Sequence, residues 1–275
     1  LDSLNAGFWA HDTQSKATPK HNIQPNRKIP FFTELQNYNN PSGNFAVNLS
    51  DCPMNPDTRI ANNIAKIKEQ LPQHCRLIVV SKYRSLEEIQ GAYNAHHRDF
   101  AENRVQPLLE RAEALPSDIH WHLIGHLQTN KVKFIVPFIA MIHSVDSIKL
   151  LQEINKEAEK NHRVIPCLIQ LHVAQEETKF GIEPQQAMDF FNEIATLSLK
   201  NIEIHGLMAM ASFTEDQQQI ASEFQQVQET FNKIKQAHFP NDSRFSELSI
   251  GMSSDYPIAI ENGSTMIRIG SAVFA

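Results

Sequence analysis

The chain has 275 residues, long for one average domain and ordinary for an α/β barrel. Apolar residues make up 41% and charged residues 20%, enough for a sizeable packed core. A net charge of −6 with scattered Lys and Arg excludes the concentrated basic face of a nucleic-acid binder, and no apolar run reaches membrane-spanning length.

Residues 1–53 differ in character from everything after them. The stretch PFFTELQNYNNPSGNFAVNLSDCPMNP is rich in Asn, Pro and Ser and has no sustained period of 2 or 3.6. Such composition buries too little apolar surface to offset the entropy of ordering, so an irregular or disordered extension is expected. Met54 offers a natural start for the body, which runs over 54–275. The N-terminus lacks the charged-then-apolar order of a secretory signal. Cys52, Cys75 and Cys167 are odd in number and show no metal-ligand spacing. They predict neither a disulfide framework nor a metal site, and a reducing, cytoplasmic setting.

From Asp57 a regular alternation begins. Ile60, Ile64, Ile67 and Leu71 recur at helical spacing, predicting a helix over about 57–70. Leu77–Val80 is short, apolar and β-branched, a buried strand closed by Ser81 and Lys82. Helix LEEIQGAYNAH, strand DFAENR and helix VQPLLERAEAL follow. Strand HWHLIG then leads into helix TNKVKFIV, strand MIHSVD into helix IKLLQEINKEAEKN, and strand IPCLIQLHV into a loop and helix PQQAMDFFNEIATLS. Strand IEIHGLMAM precedes the long amphipathic DQQQIASEFQQVQETFNKIKQA. Strand ELSIG leads to a short helix near YPIAIENG, and MIRIGSAVF reads as a last strand. Eight strands with intervening helices predict parallel pairing with right-handed crossovers, closed into a single (β/α)8 TIM barrel. The helix before the first strand is expected to fill the gap left after the last. No GxGxxG fingerprint supports an open doubly wound sheet.

In such barrels chemistry sits where the strands end at their C-termini. The first strand ends in Lys82, the second in Asn103, the sixth in Met208 and Met210. The seventh ends in GMSSD, the eighth in RIGSA. Taken singly, Ser254 reads as a helix N-cap and Gly270 as a tight turn. Together, after strands seven and eight, Gly251, Ser253, Ser254, Gly270 and Ser271 point to a phosphate cup. A lysine amine facing such a cup suits Schiff-base chemistry, either with a sugar phosphate, as in aldolases, or with pyridoxal 5′-phosphate (PLP). Arg268 lies two residues before Gly270 and so shares its barrel face. A guanidinium only donates hydrogen bonds, so facing a pyridine nitrogen it would keep that nitrogen unprotonated. A phosphate or carboxylate partner suits it equally, and spacing alone does not choose.

Taken in order, VVSK (79–82), FAENRVQ (100–106), WHLIGHLQTNK (121–131), IHSVDS (142–147), TKFGI (178–182), HGLMAM (205–210) and LSIGMSSDYPIAIENGSTMIRIGSAVF (248–274) resemble the pyridoxal phosphate homeostasis protein family. The resemblance covers about Met54 to Ala275. It implies a barrel like the N-terminal domain of alanine racemase, of the fold type III PLP proteins. Lys82 matches the lysine that holds PLP as an internal aldimine. Ser253, Ser254, Gly270 and Ser271 match the phosphate cup, and Arg268 the arginine at the pyridine nitrogen. Asn103 matches a residue lining the cofactor, while His122 and Met210 fall in motifs near the ring. Tyr83 departs from the family pattern, where a small polar residue is commoner.

Racemases of this fold draw a second acid–base group from a separate domain across a dimer, and the chain stops soon after strand eight. The expectation is therefore a carrier that holds PLP, buffers it and delivers it to apo-enzymes, taking part in vitamin B6 homeostasis, with no residue assigned as catalytic. The alternative is a weak amino-acid racemase using Lys82 as base. No extended apolar heptad is present, and a monomer is expected.

Overall fold

A computed structural model describes residues 56–176 and 180–275. The extension expected over 1–53 lies outside the described residues, as do Thr178 and Lys179 of the TKFGI motif.

The alternation read from the sequence is realised as a closed barrel of parallel strands in the order β1 to β8. The strands are β1 Arg76–Val80, β2 Asp99–Glu102, β3 His120–Leu123, β4 Met141–Val145, β5 Ile165–His172, β6 Ile202–Met210, β7 Glu247–Ser249 and β8 Met266–Ile269. The helices are α1 Pro56–Glu69, α2 Leu86–Asn94, α3 Val105–Ala114, α4 Val132–Ile135, α5 Ile148–Lys160, α6 Ala187–Ala195, α7 Gln217–His238, α8 Tyr256–Glu261 and α9 Ser271–Phe274. β8 pairs with β1 from Arg76↔Met266 to Val79↔Ile269, which closes the ring.

Closure explains why the strands carry apolar residues on both faces. One face packs under the helices in a continuous core that includes Ile60, Ile89, Phe100, Leu108, Phe191 and Phe224. The other fills the barrel with a smaller cluster of Ile78, Val80, Ala101, Met141, Leu168, Met208 and Met266, against which Met210 packs. Strand β4 is buried along its whole length, although it carries His143 and Ser144.

Two readings are corrected. MIRIGSAVF is not one strand: β8 stops at Ile269, and Ser271–Phe274 form α9. The helix before the first strand therefore does not fill the gap alone. Val273 and Phe274 bury their side chains, and Asn63 of α1 donates to the Val273 and Ala275 carbonyls at 3.1 and 3.3 Å. The segment TNKVKFIV is also shorter as an α-helix than its pattern suggests, with a 3-10 turn at Thr129–Lys131 preceding α4.

A register shift between Cys167 and Leu168 sets Leu168 opposite Gly206. Gly206 has φ +152, and a Cβ there would lie 1.8 Å from the Glu247 carbonyl oxygen. Only glycine lets β6 and β7 approach this closely. Gly206→Ala is expected to destabilise the barrel by about 2–4 kcal/mol through backbone strain and overpacking. The shift of the urea midpoint measures it.

Candidate functional site

Lys82 follows β1 at the C-terminal mouth, and local rules hold it there. Arg84 N–H donates to the Ser81 carbonyl at 3.0 Å, closing a tight turn with Lys82 and Tyr83 at its centre. Tyr83 has φ 65, the sign that the second central position of a type II turn requires and that glycine normally supplies. It is 82% exposed, so its side chain contributes little packing to offset that strain. Ser85 then caps α2 with a reciprocal capping box to Glu88 (3.2 and 2.9 Å), so the loop is short and well defined.

Beneath the turn sits a polar cluster not singled out from the sequence. The Ser81 hydroxyl donates to the Glu102 carboxylate, and Arg111 from α3 donates both to Glu102 and, at 2.9 Å, to the Arg84 carbonyl. Glu102 is fully buried, and its Oε2 has no hydrogen-bond partner. Burial pushes its carboxyl up, against the pull of Ser81 and Arg111. Arg111 thus ties the Lys82 turn to the barrel wall. Arg111→Met leaves a buried carboxyl without its cation, and a loss of about 3–5 kcal/mol is expected. Adding Glu102→Gln should recover part of it, as read by urea unfolding of the single and double variants.

The loops after β7 and β8 lie beside this turn. β8 is the ladder neighbour of β1, and a Cβ on Gly270 would sit 3.0 Å from the Val80 carbonyl oxygen. Gly251 has φ +94 and leaves no room for a Cβ against Ala259. The N-cap of α8 is Asp255, not Ser254, and the Asp255 carboxylate accepts from the Met252 N–H. Ser253 and Ser254 are therefore not used as caps. Among the described residues, their hydroxyls and that of Ser271 make no hydrogen bond, and the Ser253 and Ser254 N–H groups donate to no backbone carbonyl. This donor set fits a phosphate.

Arg268 enters from β8 and is buried. It donates to the Ser249 carbonyl (2.6 Å), the Ser249 hydroxyl (2.7 Å) and the Ala209 carbonyl (2.9 Å). Those bonds occupy three of its five N–H groups. Burial lowers its pKa to about 10, with Asp255 opposing, so it stays charged at neutral pH.

Asn103 is half-buried just past β2, where Gly125 lets the backbones meet: a Cβ there would lie 2.1 Å from the Asn103 carbonyl oxygen. Met210 is half-buried at the end of β6. His122 is buried on β3 and bonds to His143 at 2.8 Å, in register with Ala101 and Met141. The structure thus brings Lys82, Gly270, Ser271, Ser253 and Ser254 to one mouth, with Arg268 and His122 inside the barrel.

The family model of the alanine racemase N-terminal domain matches residues 57–275. A pyridoxal phosphate homeostasis protein of Aquifex aeolicus is 37% identical over 221 residues, covering 79% of this chain and 95% of its own. The chain belongs to the pyridoxal phosphate homeostasis protein family. A human pyridoxal phosphate homeostasis protein is 34% identical, covering 78% of this chain and 82% of its own. Among solved structures, PipY of Synechococcus elongatus is 33% identical and covers 78% of this chain and 100% of its own. Its TM-score is 0.73 without PLP and 0.71 with PLP bound. Clostridium difficile alanine racemase, at 14% identity and a TM-score of 0.61, shares the fold over 78% of this chain and 56% of its own.

Proposed function

We propose that this chain binds PLP at the C-terminal mouth, holds it covalently on Lys82, and buffers and delivers it to apo-enzymes. One observation carries the reading. On neighbouring strands at one mouth stand the Lys82 amine and the Ser253, Ser254 and Ser271 hydroxyls, none hydrogen-bonded among the described residues. The serines and adjoining amides would hold the phosphate, and the remaining N–H groups of Arg268 would meet the ring nitrogen. PLP would supply an aldehyde there, and Lys82 would supply the amine able to condense with it, with water as the leaving group. Arg268 can only donate, so it keeps the ring nitrogen an acceptor and the ring a weak electron sink. That chemistry suits holding the cofactor better than turning substrates over. The PLP-bound PipY structure and the names of the relatives support PLP as the ligand.

The test mixes the PLP-loaded full chain with an apo-aminotransferase and, separately, with L-amino acids. Recovery of aminotransferase activity without detectable racemisation is expected. Racemisation that disappears in Lys82→Ala would instead assign the weak-racemase activity.

A further inference from the structure

A buried line of polar groups crosses the barrel beneath the mouth. It runs from Arg268 on β8 to Ser249 on β7, His143 on β4 and His122 on β3, and ends beside Asp99 on β2. The Ser249 hydroxyl lies 3.0 Å from His143 Nδ1, His143 Nε2 lies 2.8 Å from His122 Nδ1, and His122 Nε2 lies 3.6 Å from Asp99 Oδ1. The three middle residues are buried, beside the apolar cluster that fills the barrel.

The direction of donation is set from both ends. A guanidinium only donates, so the Ser249 oxygen accepts from Arg268. Its own proton then needs an acceptor, and His143 Nδ1 supplies one. A neutral His143 so engaged carries its proton on Nε2 and donates it to His122 Nδ1. His122 in turn carries its proton on Nε2, which makes no hydrogen bond and faces the Asp99 carboxylate across 3.6 Å as a charge–dipole contact. The reverse polarity would set a bare His122 nitrogen against that carboxylate and leave the buried serine proton without a partner in the protein. Burial holds both rings below the usual imidazole range, so they are neutral. Although burial opposes it, Asp99 is kept ionised by His122 and by His120, whose Nδ1 lies 3.1 Å away. Asp255 is the other carboxylate acting on Arg268, and Arg76 acts on both imidazoles from outside the line.

We propose that Ser249, His143 and His122 form a one-way donor chain, oriented by the nearby charge of Asp99, that positions Arg268 as the fixed donor to the cofactor's ring nitrogen. None of the four is required to touch the cofactor; they are positioning residues. The role toward the ring rests on the PLP reading above, whereas the chain and its tautomers do not.

Two measurements on the full chain test it. Without ligand, long-range 15N–1H correlation of the histidine rings should show His122 and His143 as neutral Nε2–H tautomers. An Nδ1–H tautomer or a protonated ring at either position at pH 7 overturns the chain. With PLP, His143→Leu should shift the ratio of the bound-cofactor absorbance bands and weaken PLP binding about tenfold. His143→Gln, whose amide accepts from Ser249 and donates to His122, should restore both. Wild-type bands and affinity in a folded His143→Leu overturn the positioning role. Should that variant not fold, Ser249→Ala breaks the same line with a small change of volume and is read the same way. If the wild-type chain takes up no PLP, the cofactor reading fails and the positioning role with it, while the tautomers remain decided by the first measurement.

Discussion

Lys82→Ala should abolish covalent capture of PLP. Incubating the wild-type chain with PLP and reducing it with borohydride should leave close to one pyridoxyl group per chain, on the peptide that contains Lys82. In Lys82→Ala that label should fall to background, and the visible band of lysine-bound PLP should be lost. The phosphate cup and Arg268 are left in place, so non-covalent binding should persist, weakened at least about tenfold, or ~1.4 kcal/mol. Lys82→Arg separates charge from chemistry: it keeps a cation at the turn but has no amine able to attack a carbonyl, and should also fail to label. Lys131 and Lys133, in the segment after β3, have their amines over the Phe134 ring. Undiminished label on another lysine in the Lys82→Ala variant would end the assignment.

The second large effect is acid sensitivity. His97, His122 and His143 are buried and, through burial, are held below the ordinary imidazole range, His97 at about 4. His97 keeps its proton on Nε2 to donate to the Asp99 carbonyl at 2.8 Å. A histidine depressed in the fold remains neutral there, while the same residue in the unfolded chain takes up a proton below about pH 6.5. The unfolded state then binds more protons, so stability falls as pH falls, beginning near 6.5 and continuing toward 4. Each such group contributes up to about 1.4 kcal/mol per pH unit, and the three together up to about 4. Against a total of about 5–15 kcal/mol, that is enough to unfold the barrel in mild acid. Glu102 has the opposite sign, since its raised carboxyl favours the fold as it protonates, but it is one group against three. Asp99 is depressed, so its contribution is lost only below the ordinary aspartate range. Urea unfolding at pH 7, 6 and 5 should give a steep, progressive loss, and His97→Gln should reduce the slope by about a third. A flat profile over that range would show that these rings are not neutral in the fold.

Much of the architecture was legible locally. Helical spacing in α1, the β-branched run of β1 and the steady strand–helix rhythm each depend on a few neighbouring residues. Their sum is a parallel barrel. The mouth was legible for the same reason: Lys82, GMSSD and RIGSA each stand where a strand ends, and barrels collect such ends on one side. The end of β8 was misread because Val273 and Phe274 suit a strand by propensity. What makes them helical is a surface from distant sequence, α1, with Asn63 ready to bond the last carbonyls. The Arg111–Glu102–Ser81 support under Lys82 was hidden because an arginine on a helix ordinarily reads as solvated.

The sequence by itself determined the kinds of element, their order and which residues stand at their ends, because period and turn chemistry act over a few residues. Only the tertiary structure decided that Arg268 on β8, Ser249 on β7, His143 on β4 and His122 on β3 stand in one line that points at Asp99 on β2. That line exists because ring closure turns five separate strands toward a shared interior, where a buried polar group gains most from a partner within the protein.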